Sequence, residues 1–407
     1  MDSSHFIRAG WVLDGSGGPV SEKVLLRIEH GIIVNMENCT GENNPAIPGV
    51  IDLSHCTILP PLVDSHVHLF MSGTTDQRVR KKQLTAGYDE LIPAIDRHLR
   101  DFLNHGVLAV RDGGDWAGSA LQRRDDLGGN YPVQIKSAGR AWRQKDRYGR
   151  LIGRYPEEGQ TLAASFLLDG GDVDWVKLVN SGLNSLKIYA KETESQFSRD
   201  EISALVIAAG QRGKKVMVHA NGNLPVRLAL EAGCHSIEHG FFMGKKNLQL
   251  MADKGVVWVP TAYTMKAYAE NFDSGTSEGD PRVMGRTLEN QLEQMAIARE
   301  LGVNLALGTD AGSLGVLHGE SMVEEMKLYK KAGFTLPEII KCATCNGASL
   351  LGLDRDMGLL QVGRPATFLV ARGTPAQLPR KLSYLEDIYR DGKPCGMYKK
   401  NPVKNAV

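Results

Sequence analysis

The segment Ile58-Leu59-Pro60-Pro61-Leu62-Val63-Asp64-Ser65-His66-Val67-His68-Leu69 decides how the rest of the chain is read. An apolar run rich in strand formers ends in two histidines one residue apart. In a strand, residues i and i+2 point to the same side, so both imidazoles can reach one point in space. Neutral imidazole is a common ligand for zinc and similar ions. A lone His-x-His pair at a strand end is more often structural than metal-binding. Here, however, later apolar runs close in Lys177, His219, His239 and Asp310, four more groups able to serve a metal.

Working outward, apolar runs of strand length recur at 58–63, 107–110, 133–135, 175–179, 216–218, 236–237, 256–259 and 305–307. Helical stretches intervene. Ser198 with Glu201, and Thr335 with Glu338, fit capping boxes at two helix starts. This alternation predicts an α/β fold, a (β/α)₈ TIM barrel over residues 58–355. Such barrels carry their active sites at the C-terminal ends of the strands, where the candidate ligands fall. Both ends of the chain read differently. Alternating runs around Gly/Asp turn signals at 6–13, 24–36 and 50–53, and again at 357–360, 366–371 and 388–393, predict short strands. The two ends are therefore expected to meet as one small, discontinuous β-sandwich, residues 1–57 with 356–407.

Bulk properties exclude more than they assign. A chain of 407 residues accommodates one α/β barrel with a satellite domain. A net charge of +1 argues against nucleic acid or an acidic membrane as partner. The first residues lack the basic and apolar segments of a secretory signal, and no apolar run approaches the roughly 18 residues of a membrane span. Six scattered cysteines without zinc-finger spacing suggest free thiols and a cytoplasmic protein.

Six motifs together resemble the amidohydrolase superfamily in its binuclear, carboxylated-lysine branch. They are Leu59-Pro60-Pro61-Leu62-Val63-Asp64-Ser65-His66-Val67-His68, Gly106-Val107-Leu108-Ala109-Val110-Arg111-Asp112, Val218-His219-Ala220, Ala229-Leu230-Glu231-Ala232-Gly233, Ser236-Ile237-Glu238-His239-Gly240 and Leu307-Gly308-Thr309-Asp310-Ala311-Gly312. The chain is similar to the group of prolidase-like dipeptidases, metal-dependent carboxypeptidases and imidazolonepropionase relatives. The resemblance implies that His66, His68 and Asp310 hold one divalent ion and that His219 and His239 hold a second. Lys177 would bridge the two as a CO₂-derived carbamate, and Zn²⁺ is the default for so histidine-rich a site. It further implies hydrolysis of an amide bond, in a peptide or N-acyl amino acid, by a metal-bridging hydroxide with Asp310 as general acid/base. A cyclic amide or imidazolone is the alternative substrate. Family members often form symmetric homo-oligomers.

Competing readings stay open at this point. A lysine inside an apolar run is ordinarily an edge or snorkelling residue. Lys187, in Leu186-Lys187-Ile188-Tyr189, rivals Lys177 as the bridge. A mononuclear deaminase on the same fold would need a Glu three residues after His219, where Gly222 stands. A non-catalytic relative would be expected to have lost ligands. Pro61 replaces a usual Gly, Thr367 a usual Asp, and Asn221 stands where relatives carry His or Tyr. His55, His98, His105 and His235 read as surface or loop residues.

Substrate contacts are expected from Arg140, Tyr148, Asn221, Tyr263 and His318. The segment 139–154 concentrates Arg140, Arg143, Lys145, Arg147, Arg150 and Arg154 against the single acid Asp146. Arginine's planar fork suits a carboxylate, so a small carboxylate-bearing substrate is expected here. For any one of these arginines a solvated loop is the blander and stronger reading.

Overall fold

A computed structural model describes residues 4–39, 47–273 and 279–400. The N-terminal strands are β1 (His5–Val12), β2 (Ser21–Glu29), β3 (Ile32–Asn38) and β4 (Ile51–Leu59). The middle of the chain holds β5 (Leu62–Val67), β6 (Val107–Asp112), β7 (Gln134–Ser137), β8 (Ala141–Trp142), β9 (Gly153–Arg154), β10 (Trp175–Val179), β11 (Lys215–Ala220), β12 (Ser236–His239) and β13 (Val257–Val259). The last strands are β14 (Phe368–Arg372), β15 (Asp387–Arg390) and β16 (Lys393–Pro394).

The two ends of the chain do come together. Hydrogen bonds run through seven strands in the order β16-β15-β14-β4-β1-β2-β3, so one sheet is made from both ends. Ile7, Val24, Leu26, Ile58, Phe368 and Val370 form part of its own apolar core. The segment 357–360, expected as a strand, is irregular. The run 58–63 also divides. Its first residues finish β4 in this sheet, and β5 begins at Leu62 in another. Pro60 and Pro61 sit at the break because neither offers an N–H to a ladder.

From β5 to β13 the strands pair in parallel, and helices separate most of them. β5, β6 and β7 form one sheet, and β10, β11, β12 and β13 run side by side in another. Single hydrogen bonds continue between them. The Asp174 N–H donates to the Ser137 carbonyl at 2.9 Å, linking β7 to the start of β10. Beyond β13, Trp258 exchanges bonds with Asn304 and Ala306, at 2.9 and 3.0 Å. Ser65 then donates to Leu307 at 2.9 Å and Asp310 to His66 at 2.8 Å, returning to β5. Every residue of β5, β6, β10 and β12 is buried, as expected for parallel strands covered on both faces. Both predicted capping boxes are present, at Ser198–Glu201 and Thr335–Glu338.

Candidate active site

Five of the six candidate ligands fall at or just beyond strand C-termini. His66 is in β5 and His68 follows it; His219 is near the end of β11, and His239 ends β12. Asp310 lies just before Ala311, which bridges to Val67. Lys177 differs, standing in the middle of β10. His239 and Asp310 adopt left-handed backbone, with φ of 68° and 59°. That conformation is costly for side chains with a Cβ and concentrates at functional sites.

The groups converge. One nitrogen each from His66 and His68 and one oxygen of Asp310 lie within 4.8 Å of one another. Asp310 Oδ1 is 3.7 Å from His66 Nε2 and 3.5 Å from His68 Nε2. Lys177 Nζ is 3.3 Å from His66 Nε2. The His66 and His239 ring centres are 4.9 Å apart, and those of His219 and His239 4.6 Å. Lys187, by contrast, is exposed on a loop.

Partners on the far side of each ring decide which nitrogen faces the centre. His66 Nδ1–H donates to Glu238 at 2.6 Å, and His68 Nδ1–H donates to the Gly114 carbonyl at 2.9 Å. His239 Nδ1 is 2.7 Å from the Thr261 hydroxyl. These three present Nε2 inward. His219 Nε2 is instead 3.3 Å from the Gly182 carbonyl, which leaves Nδ1 for the centre. Gly113 leaves room for the rings, since a Cβ there would stand 2.9 Å from His68 Cε1 and 3.3 Å from His66 Nε2.

Burial sets the electrostatics. It pushes the pKa of His68 down to about 4 and that of His219 to about 3, with Lys177 adding to both. His66 and His239 are likewise held well below the ordinary value, mainly by burial. All four are therefore neutral at pH 7, the form that ligates metal. Burial also lowers Lys177 to about 8, against the pull of Glu238 and Asp310. It raises Asp310 to about 6, against the Ser313 hydroxyl that donates to it at 2.9 Å. Converging neutral imidazoles, a carboxylate and an amine that deprotonates readily are a donor set suited to divalent cations.

Beneath His66 lies a network that sequence reasoning did not assign. Glu238 accepts from Arg111 Nη2 at 2.9 and 3.0 Å and from Ser236 at 2.5 Å. Arg111 also donates to the Ser65 carbonyl at 2.7 Å and stacks 4.6 Å from the Trp175 ring. Both charges are fully buried. Asp64 accepts from Thr309 at 2.9 and 2.6 Å, tying β5 to the Asp310 loop. The one available signal was an acid and a base inside apolar strands.

A cavity of about 300 Å³ opens over the ligands. Tyr148 and Asn221 line it, and the Tyr148 ring is 5.3 Å from that of His219. Three other expected contacts are elsewhere. Arg140 is exposed outside the cavity. Tyr263 borders a separate cavity with Lys266 and Glu324, while its neighbours Thr264, Met265 and Tyr268 face the site. His318 is buried behind His68, 3.1 Å from its carbonyl, and stacks on His98 at 3.8 Å. His98 and His105 are thus buried residues of the helix Tyr88–Asn104 and its end, not surface ones. The basic segment turns mostly to its own surroundings. Arg143 donates to the Gln144 carbonyl at 2.9 Å, Arg147 to the Glu194 carbonyl at 3.1 Å, and Arg154 pairs with Asp169.

Residues 57–399 match the profile of the amidohydrolase family. An ochratoxinase from Aspergillus niger is 26% identical over 184 residues, 45% of this chain, and the chain spans only 38% of that relative's length. An imidazolonepropionase from Maricaulis maris is 27% identical over 394 residues, covering 88% of each chain. The crystal structure of a Xaa-Pro dipeptidase with methionine bound in its active site matches with a TM-score of 0.81 at 25% identity, covering 97% of this chain and all of that one.

Proposed function

Because this chain belongs to the amidohydrolase family, we propose that it is a metal-dependent hydrolase of an amide bond in a peptide or N-acyl amino acid. The observation that carries the proposal is the convergence of His66, His68 and Asp310 within 4.8 Å, with Lys177, His219 and His239 around them. In this reading the linked parallel strands are a closed (β/α)₈ barrel, and the seven-stranded sheet belongs to a small β domain beside it. The centre sits on the barrel's C-terminal face, where such folds carry their chemistry.

His66, His68 and Asp310 would hold one divalent ion, His219 and His239 a second, with zinc the expected metal. When bound, such ions polarise the amide carbonyl and lower the pKa of water. The remaining work falls to the chain. Neutral Lys177 would add through Nζ to CO₂, forming an N–C bond and releasing a proton, and the resulting carbamate would offer the ions an anionic oxygen donor. Burial, which lowers the Lys177 pKa, favours the free amine that this step needs. Asp310 takes the proton from the attacking water at Oδ1 and delivers it to the leaving nitrogen as the C–N bond breaks. Glu238, held by Arg111, fixes the His66 tautomer and ring orientation.

Metal analysis after zinc reconstitution, combined with a panel of dipeptides and N-acyl amino acids, tests this. About two ions per chain and hydrolysis of at least one class are expected. Fewer than about one tightly bound ion overturns the proposal. The match to an imidazolonepropionase supports a second reading, ring opening of a cyclic amide. Turnover confined to cyclic substrates would select it.

A further inference from the structure

We infer that Arg80 is the receptor for a substrate carboxylate placed next to the leaving nitrogen, and that the adjoining apolar wall takes a bulky side chain. The inference rests on the hydrolase reading above and narrows its substrate to N-acyl or peptidyl amino acids with a free carboxylate and a large apolar residue.

Arg80 lies in the short helix Gln77–Gln83, which is tied to the loop after β5. Gln83 accepts from the Ser72 N–H at 2.9 Å and donates to its hydroxyl at 2.8 Å. The Arg80 side chain reaches the cavity over the ligands. Its Nη1 donates to the Ser72 carbonyl at 2.6 Å and to the Gly312 carbonyl at 3.0 Å. That single nitrogen therefore spans the loop that follows His68 and the loop that follows Asp310. Nε and Nη2 have no acceptor among the described residues, and Arg80 has no carboxylate partner there. A guanidinium stays protonated, and burial without a counter-ion is costly. A half-buried cation, clamped by one nitrogen and opening two donors on a cavity, is arranged to receive an anion. Nε and Nη2 form the edge that bonds both oxygens of a carboxylate at once.

The position matters as much as the charge. Gly312 is two residues beyond Asp310, and the Arg80 charge is felt at Asp310. Asp310 is the group that protonates the leaving amine, so a carboxylate on Arg80 belongs to the amine half of the substrate. Lys177, the other cation lining the cavity among the described residues, is committed to the centre. The remaining wall is mainly apolar, with Leu151, Leu183, Leu186, Phe241, Met265 and Leu314. Such a wall contributes by excluding water from a bulky hydrophobic group.

The test compares N-acetyl-L-phenylalanine with N-acetyl-L-phenylalaninamide, by hydrolysis and by calorimetric binding to the zinc-loaded protein. The wild type should favour the acid. Arg80→Gln should weaken the acid by about 10- to 100-fold, as loss of a charged hydrogen-bonded pair predicts, while leaving the amide within about 3-fold. Arg80→Lys, which keeps the charge without the fork, should fall between. Independently of any variant, the acid but not the amide should protect Arg80 from phenylglyoxal, mapped by mass spectrometry. If the whole panel of dipeptides and N-acyl amino acids goes unhydrolysed yet the acid binds through Arg80, the hydrolase reading fails and the carboxylate receptor stands. Equal binding of acid and amide, no binding of the acid, equal losses on both in Arg80→Gln, or absence of protection each overturn the inference.

Discussion

The two halves of the histidine cluster are held in different ways. His66 and His68 are backed by protein. The His66 ring bonds to a carboxylate that is itself locked by Arg111 and Ser236, and His68 is pinned through Gly114 and, by its own carbonyl, to His318. His219 and His239 face the cavity, and their partners are a loop carbonyl and a threonine hydroxyl. In one half His66 is set by a buried ionic network within the strands, with His68 beside it on a loop carbonyl; in the other half both partners belong to loops next to the substrate pocket. The rigid half should therefore govern stability and the first ion bound, and the open half should govern occupancy of the second.

The largest effect should come from Arg111→Met. Removing one member of a buried ion pair leaves Glu238 charged and uncompensated, which costs about 3–5 kcal/mol. Denaturant unfolding of the metal-free protein measures it, and stability equal to the wild type would break the contrast between the halves. Next is pH. Burial holds His98 at about 4 against an ordinary 6.5, and depresses His318 in the same direction. The unfolded chain thus binds protons that the folded chain refuses. Stability should be whole above about pH 6.5 and decline by about 3 kcal/mol toward pH 4 from His98 alone. A measurably shallower slope in His98→Asn than in the wild type would assign that share to His98, and equal slopes would refute it.

Asp310→Asn should slow turnover by at least about 10²-fold, while metal content stays substantial because an amide oxygen remains in place. Near-normal rates in the metal-replete variant would remove Asp310 from proton transfer. His219→Ala should retain about one ion per chain by elemental analysis, whereas His66→Ala should lose both. Equal retention would mean that the halves do not differ in affinity. Smallest of all, Tyr148→Phe should shift stability by less than about 0.5 kcal/mol, because its hydroxyl is not part of the buried network.

Much of the architecture was legible because local physics acts over short spans. Buried parallel strands need continuous apolar runs, which is why Trp175–Val179 has the bounds expected from sequence. Polar residues inside such runs stand out, so the six converging groups could be singled out without coordinates. The Pro60-Pro61 break was equally local, yet the run around it read as one strand. Only pairing partners reveal that β4 and β5 serve different sheets.

Other features had no local signal. Arg111 and Glu238 are 127 positions apart, and His98 and His318 meet from a helix and a distant loop. The basic segment 139–154 was a compositional signal for a carboxylate site, but composition carries no direction. Arg143, Arg147 and Arg154 are occupied by nearby carbonyls, carboxylates and rings, while Arg80, unremarked in its exposed-looking helix, reaches the cavity. The sequence by itself determined the alternation of strands and helices and the chemical types gathered at strand ends, since both follow from periodicity and side-chain chemistry. Tertiary structure alone decided which nitrogen each imidazole turns inward, which cation is left facing the cavity, and which charges pair beneath it, because those depend on groups that meet only when distant strands close on one another.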